Sequence, residues 1–210
     1  MQETTALLSI GSALFIGAIS PGPSFVMVAK TAVTSGRING LCTALGMGAG
    51  GFVFAALSLL GLNGLLLAVP ALYVILKIAG GLYLAYLGWK IWHGAKQSLA
   101  MPADDTTSTT GGYLNSAMTG ATTQLSNPKT AIVYASVFAA FLPPLPSIAF
   151  SSAIVLLVFC IEAGWYALVA LALSSTAPRK QYLRYKTVMD RMAGGVMIAL
   201  GLKLATTAGR

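Results

Sequence analysis

Ser20-Pro21-Gly22-Pro23 and Ser126-Asn127-Pro128-Lys129 each interrupt a long apolar stretch, at about the same depth into the first hydrophobic segment of either half of the chain. A proline cannot donate to the backbone ladder, and lipid rejects it unless the freed carbonyls face protein or a wet cavity. Paired interruptions at corresponding positions are the pattern of discontinuous helices whose broken ends line a substrate site at the bilayer midplane. The two tetrapeptides therefore predict a membrane transport protein.

Composition agrees. The 210 residues are 56% hydrophobic and 9% charged, with a mean hydropathy of +0.78. That leaves too little polar surface to cover a soluble domain of this length. Stretches of roughly 17–25 residues suffice to cross a bilayer. Six are read here, over residues 6–29, 38–62, 71–91, 115–141, 148–173 and 188–206. Residues 94–112 are rich in Ser, Thr, Asp and Gly without helical or strand period, and read as a linker. The predicted fold class is all-α: a polytopic membrane protein, one transport domain over residues 1–210, with six transmembrane helices. The first half covers about residues 1–93 and the second about 113–210.

The net charge of +8 is distributed by topology rather than as a nucleic-acid footprint. With loops numbered alternately, Lys30, Arg37, Lys90, Lys96, Arg179, Lys180, Arg184, Lys186 and Arg191 fall on one side. The opposite loops, 63–70 and 142–147, contain no Lys or Arg. Positive-inside bias then places the basic loops in the cytoplasm and both termini outside. The N-terminal region lacks the basic start of a signal peptide, so the first segment is expected to be retained as a span.

The halves share more than prolines. Ala79-Gly80-Gly81-Leu82-Tyr83-Leu84 followed by Gly88 recurs as Ala193-Gly194-Gly195-Val196-Met197-Ile198 followed by Gly201, with one residue of slippage. Each half holds an odd number of spans, so the copies insert in opposite orientations: a 3+3 inverted repeat with broken first helices. The second span carries Gly36, Gly40, Gly46, Gly48, Gly50 and Gly51, a spacing that suits close helix packing and also a glycine-lined path.

Ser20-Pro21 and Asn127-Pro128 each set a good N-cap residue before a proline at the first helical position. Each predicts a half-helix restarting inside the membrane with its positive end exposed, where an anion such as an amino-acid carboxylate is stabilised. The candidate substrate-binding residues are Ser20, Pro21, Gly22, Pro23, Ser24, Asn127, Pro128, Lys129 and Glu162. Lys129 is a mid-span charge, which is costly and faces a partner or a cavity. Glu162, the only acid deep in a span, suits an ammonium ligand or proton carrier, or an ion pair with Lys129 or Lys77. Trp165 and Tyr166 follow it on the same helix face, and Asp190 reads as a cap or local pair at the start of the last span. Cys42 and Cys160 lack metal or redox spacing and His93 is the only histidine; no cofactor, metal site or enzymatic activity is expected.

At these residues the chain resembles the LysE/RhtB family of bacterial amino-acid exporters. The resemblance runs from Ser20-Pro21-Gly22-Pro23 through Gly80-Gly81-Leu82-Tyr83-Leu84, Gly120 and Leu125-Ser126-Asn127-Pro128-Lys129 to Ala193-Gly194 with Gly201. Thr31-Ala32-Val33, Ser136-Val137-Phe138, Glu162 ahead of Trp165, and Asp190 make it most similar to the threonine-exporter branch. One departure is Ser24, where relatives often carry Asp or Asn. The resemblance implies proton-driven efflux of small amino acids across the inner membrane, with the lipid bilayer and a small amino acid as partners. One deep acid against two intramembrane lysines favours a neutral over a cationic substrate, and the glycine-rich faces permit a homo-oligomer without requiring one. The alternatives are export of cationic amino acids, a thiol–disulfide carrier using Cys42 and Cys160, and a divalent-metal exporter.

Overall fold

The computed structural model describes residues 2–68, 70–96, 112–143 and 146–206. The centre of the expected linker lies outside the described residues, as do the side chains of Lys77, Arg179 and Lys180. Eight helices and no strand occur among the described residues. They are α1 (Gln2–Ile19), α2 (Pro23–Thr34), α3 (Arg37–Ala68), α4 (Pro70–Gly94), α5 (Tyr113–Leu125), α6 (Pro128–Phe141), α7 (Ile148–Leu173) and α8 (Thr176–Thr206).

The first and fourth expected spans are broken at the prolines, and α1 and α2 meet at a 56° bend. By length and composition α3 and α7 can each cross a bilayer, and the bent α1–α2 pair is long and apolar enough to add a third crossing if it forms one span. Leu60, Leu168 and Met192 are 74%, 60% and 68% exposed. Large side chains turned outward from apolar helices suit lipid, not water.

Two expected boundaries shift. The turn over 63–70 shrinks because α3 continues to Ala68 and α4 restarts with Pro70 as its first residue. α8 begins at Thr176, ahead of the expected span at 188–206. Its first turns are basic and polar, so hydropathy misses them, yet the backbone is already helical. Asp190 therefore lies within the helix and caps nothing.

Hydrogen bonds tie the helix ends into two groups. Glu3 accepts from the Ser147 N–H and hydroxyl at 3.2 and 3.3 Å, joining the starts of α1 and α7. At the other end Ser116 donates to Asn39 at 3.0 Å, joining the starts of α5 and α3. Lys186 and Thr187 of α8 donate to the Ala95 carbonyl just past α4, at 3.4 and 3.2 Å. The basic residues at the end of α4 and in the middle of α8 thus share one end of the bundle.

Glycine sets the closest helix approaches. A Cβ on Gly46 or Gly50 would run into the carbonyls of Ala117 or Ala121 of α5, and one on Gly120 into that of Thr43. Between α4 and α8, Gly81 meets the backbone of Gly201 and Gly88 that of Gly194, each reciprocally. The two helices run antiparallel, and their glycine spacings match when Gly81 is equated with Gly194 and Gly88 with Gly201. The apparent slippage came from aligning Gly80 with Gly194; Gly80 instead packs on Ser136 of α6. In the α2–α3 turn, Gly36 takes φ +88 with open space around it, so conformation alone requires glycine there.

The main core draws on helices from both ends of the chain. Leu14, Leu84, Phe138, Ile154 and Met197 all belong to one buried cluster.

Candidate functional site

The two breaks come together at the centre of the bundle. At the first, Gly22 is the N-cap of α2 in extended conformation (φ −151, ψ −168), and Pro23 is the first helical residue. This corrects the expected start at Ser20-Pro21. Residue 22 precedes a proline, which disfavours its helical conformation, so the helix restarts only at Pro23. Gly22 has no side chain to cap with, leaving the α2 N-terminus without a side-chain cap. At the second break the expectation holds: Asn127 is the N-cap of α6, its side-chain oxygen accepting from the Lys129 N–H at 3.0 Å.

Asn127 also reaches across to the first break. Its amide donates to the Ser24 hydroxyl at 2.8 Å, and that hydroxyl donates to the Gln124 oxygen at 2.6 Å. Ser24 and Gln124 are 1% and 0% exposed, so this bridge is sealed from solvent. Ser24 lies behind the wall of the site and lines neither of the two cavities described below.

Lys129 closes the gap between the breaks. Its ammonium donates to the carbonyls of Gly17 and Ser20 at 3.0 and 2.5 Å. These lie in the last turn of α1 and just past it, where the helix dipole is negative and carbonyls lack helical partners. No ion pair joins Lys129 to Glu162. Glu162 instead accepts from the Tyr134 hydroxyl at 2.8 Å through one oxygen, and its other oxygen is buried without a hydrogen-bond partner. The Ser20 hydroxyl and the Gln124 amide nitrogen are unpartnered in the same way.

Two cavities meet at Lys129. A vestibule of about 510 Å³ has the first break (Ser20 to Pro23) and the second (Asn127 to Lys129) at its floor. Lys90, Gly94, Lys186 and Asp190 line its walls, so it opens toward the basic end of the bundle. Its volume falls in the usual range for small-molecule sites, about 300–1,000 Å³. Beyond Lys129 lies a cavity of about 20 Å³ lined by Glu162, Tyr134, Tyr166 and Thr130, among others. It has room for about one water. Lys129 lines both cavities, the inner one with Glu162 and the vestibule with Asp190.

Asp190 forms an ion pair with Lys186 at 2.7 Å, the local pairing expected of it. Tyr166 joins the inner cavity, whereas Trp165 turns away and packs edge-on against Phe15 at 6.2 Å. Cys42 and Cys160 are free thiols and line neither cavity. Among the described residues no three metal-ligating side chains come together.

Gln124 and Tyr134 were missed by the sequence reading. The available signal was an amide three residues ahead of the Asn127 cap and a tyrosine on the helix that restarts there. Both are polar groups in an apolar run that has to bury them.

An all-helical bundle with apolar outer faces, two broken helices and a central polar vestibule defines a membrane translocator. The pattern of the LysE type translocator family matches residues 15–208, and the chain belongs to that family. Its relatives include the threonine efflux protein of Escherichia coli strain K12, 29% identical over 94% of this chain and 96% of that one. The threonine efflux protein of Salmonella typhi is 31% identical over 90% and 92% of the two chains. A leucine efflux protein of Salmonella choleraesuis is 32% identical over 62% of this chain and 59% of its own length. No solved structure matches.

Proposed function

We propose that this protein exports small neutral amino acids across the bacterial inner membrane, as a six-span carrier built from a 3+3 inverted repeat and driven by protons. The observation that carries the reading is the vestibule that opens at the basic end and stops at two broken helices and Lys129. Positive-inside bias makes that end cytoplasmic, so the vestibule faces the side from which an exporter loads. The reciprocal glycine contacts between antiparallel α4 and α8 support the inverted repeat. The names of the threonine efflux relatives favour a small neutral cargo.

The chemistry follows from the floor of the vestibule. The uncapped N-terminus of α2 presents amide N–H groups and a positive dipole end to a carboxylate. The Lys129 ammonium lies beside it: a Cβ on Gly22 would stand 3.5 Å from Nζ. A bound carboxylate competes with the Gly17 and Ser20 carbonyls for that ammonium. Once Lys129 is drawn off them, the second carboxylate oxygen of Glu162 becomes reachable, to take the substrate ammonium or exchange a proton. Opposed motion of the two halves about the breaks then carries the site to the outer face.

The test is efflux of preloaded radiolabelled threonine, homoserine, leucine and lysine from cells, comparing the parent with Glu162→Gln. Selective efflux of a neutral amino acid, lost in the variant, is expected. A parent that moves none of them above an empty-vector control would sink the reading, and preferred lysine efflux would favour cationic cargo.

A further inference from the structure

Glu162 lies in a space that holds about one water, with Lys129 between it and the vestibule. An amino acid standing in the vestibule therefore has its ammonium on the wrong side of Lys129 to reach Glu162. Among the described residues lining the vestibule, Asp190 is the only acid. The Lys129 ammonium lines the same cavity, so an acid and a cation both face its space. A zwitterion carries the complementary pair of charges.

We infer that Asp190 is a substrate-binding residue: it holds the substrate ammonium at an entry station in the vestibule, while the α2 N-terminus and Lys129 hold the carboxylate. This rests on the exporter reading above and extends it to two stations in series, Asp190 first and Glu162 second. Before substrate arrives, Lys186 occupies Asp190 as a built-in cation, 2.7 Å from its carboxylate. Lys186 also donates to the Ala95 carbonyl at 3.4 Å, so it has a second anchor when Asp190 is shared with an incoming ammonium. The station selects molecules that carry both charges and discriminates against acids lacking the amine.

The experiment is uptake into inside-out membrane vesicles, which exposes the cytoplasmic face to label. The probe is the best transported of threonine, homoserine and leucine, with its 2-hydroxy-acid counterpart as competitor. Asp190→Asn should raise KM by about ten-fold or more, the worth of one charge-assisted hydrogen bond. Inhibition by the 2-hydroxy acid should stay as in the parent. Asp190→Asn also takes away the ion pair of a buried lysine, so the double variant Lys186→Gln with Asp190→Asn separates the roles. A structural pair predicts that the double variant regains the parental KM, and that result overturns the inference. A substrate ligand predicts that the double variant keeps the raised KM and that Lys186→Gln alone lowers it. If Asp190→Asn is absent from the membrane, the double variant decides alone. A parent that transports with a KM the substitutions leave unchanged overturns the entry station only. A parent that transports none of the three overturns the exporter reading with it.

Discussion

The two proline breaks look alike on paper and differ in the folded chain. The second is self-sufficient: Asn127 caps α6 with its own side chain, and Ser126 closes α5 through its N–H to the Thr122 carbonyl at 2.9 Å. The first is dependent. Gly22 supplies no cap, and the carbonyls of Gly17 and Ser20 are satisfied by Lys129 from the second break. Asn127 crosses the same gap to Ser24. Asn127 and Lys129 donate three hydrogen bonds to the first break, and only the Ser24 hydroxyl donates back, to Gln124. The difference teaches that matched interruptions in a duplicated architecture need not be matched sites: the open helix end is where an anion fits, and the capped one supplies the side chains that shape it.

That asymmetry can be broken from either side. Lys129→Met should have the largest effect, because it removes both charge-assisted bonds to the first break, worth roughly 1.5–3 kcal/mol each. Efflux per molecule of membrane-inserted protein should fall by ~100-fold or more. Retained activity would mean that the first break does not depend on the second. Gly22→Ala comes next. The added methyl would sit 3.2 Å from Lys129 Cδ, a flexible side chain that can yield, so the fold should survive. The crowded α2 N-terminus should raise KM by several-fold with little change in thermal stability in detergent. An equal loss of stability would show that the open end is structural.

Asn127→Ala is the smallest of the three. Losing an N-cap costs about 1 kcal/mol, which should appear as a lowered melting temperature in detergent. Transport should fall less than in Lys129→Met. A larger loss than in that variant would reverse the order of dependence between the two breaks.

Much of this is legible in the sequence. Pro21, Pro23 and Pro128 determined that two helices must break inside apolar segments, because no backbone arrangement in lipid tolerates an unpaired donor position without local rescue. The dense glycines announced close helix contacts, and Lys129 and Glu162 stood out because charge in a span is expensive. Asn127 before Pro128 was enough to place a cap. Sequence spacing could not reveal which cap the first break lacked, because the Pro-Gly-Pro conformation pushes the restart past the residue that looks like a cap.

The membrane class, the two breaks and the identity of the costly charges were thus determined by the sequence alone, through backbone and solvation rules that act within a few residues. Only the tertiary structure decided what those charges touch. Lys129 and Glu162 looked like partners, but Lys129 binds carbonyls on α1 and Glu162 binds Tyr134. Gln124 and Asp190 joined the site's surroundings from α5 and α8. The physical reason is that an ammonium or carboxylate takes the nearest complementary group in three dimensions. In a helical bundle that group lies on a neighbouring helix, set by close glycine contacts and separated from it in sequence by tens of residues.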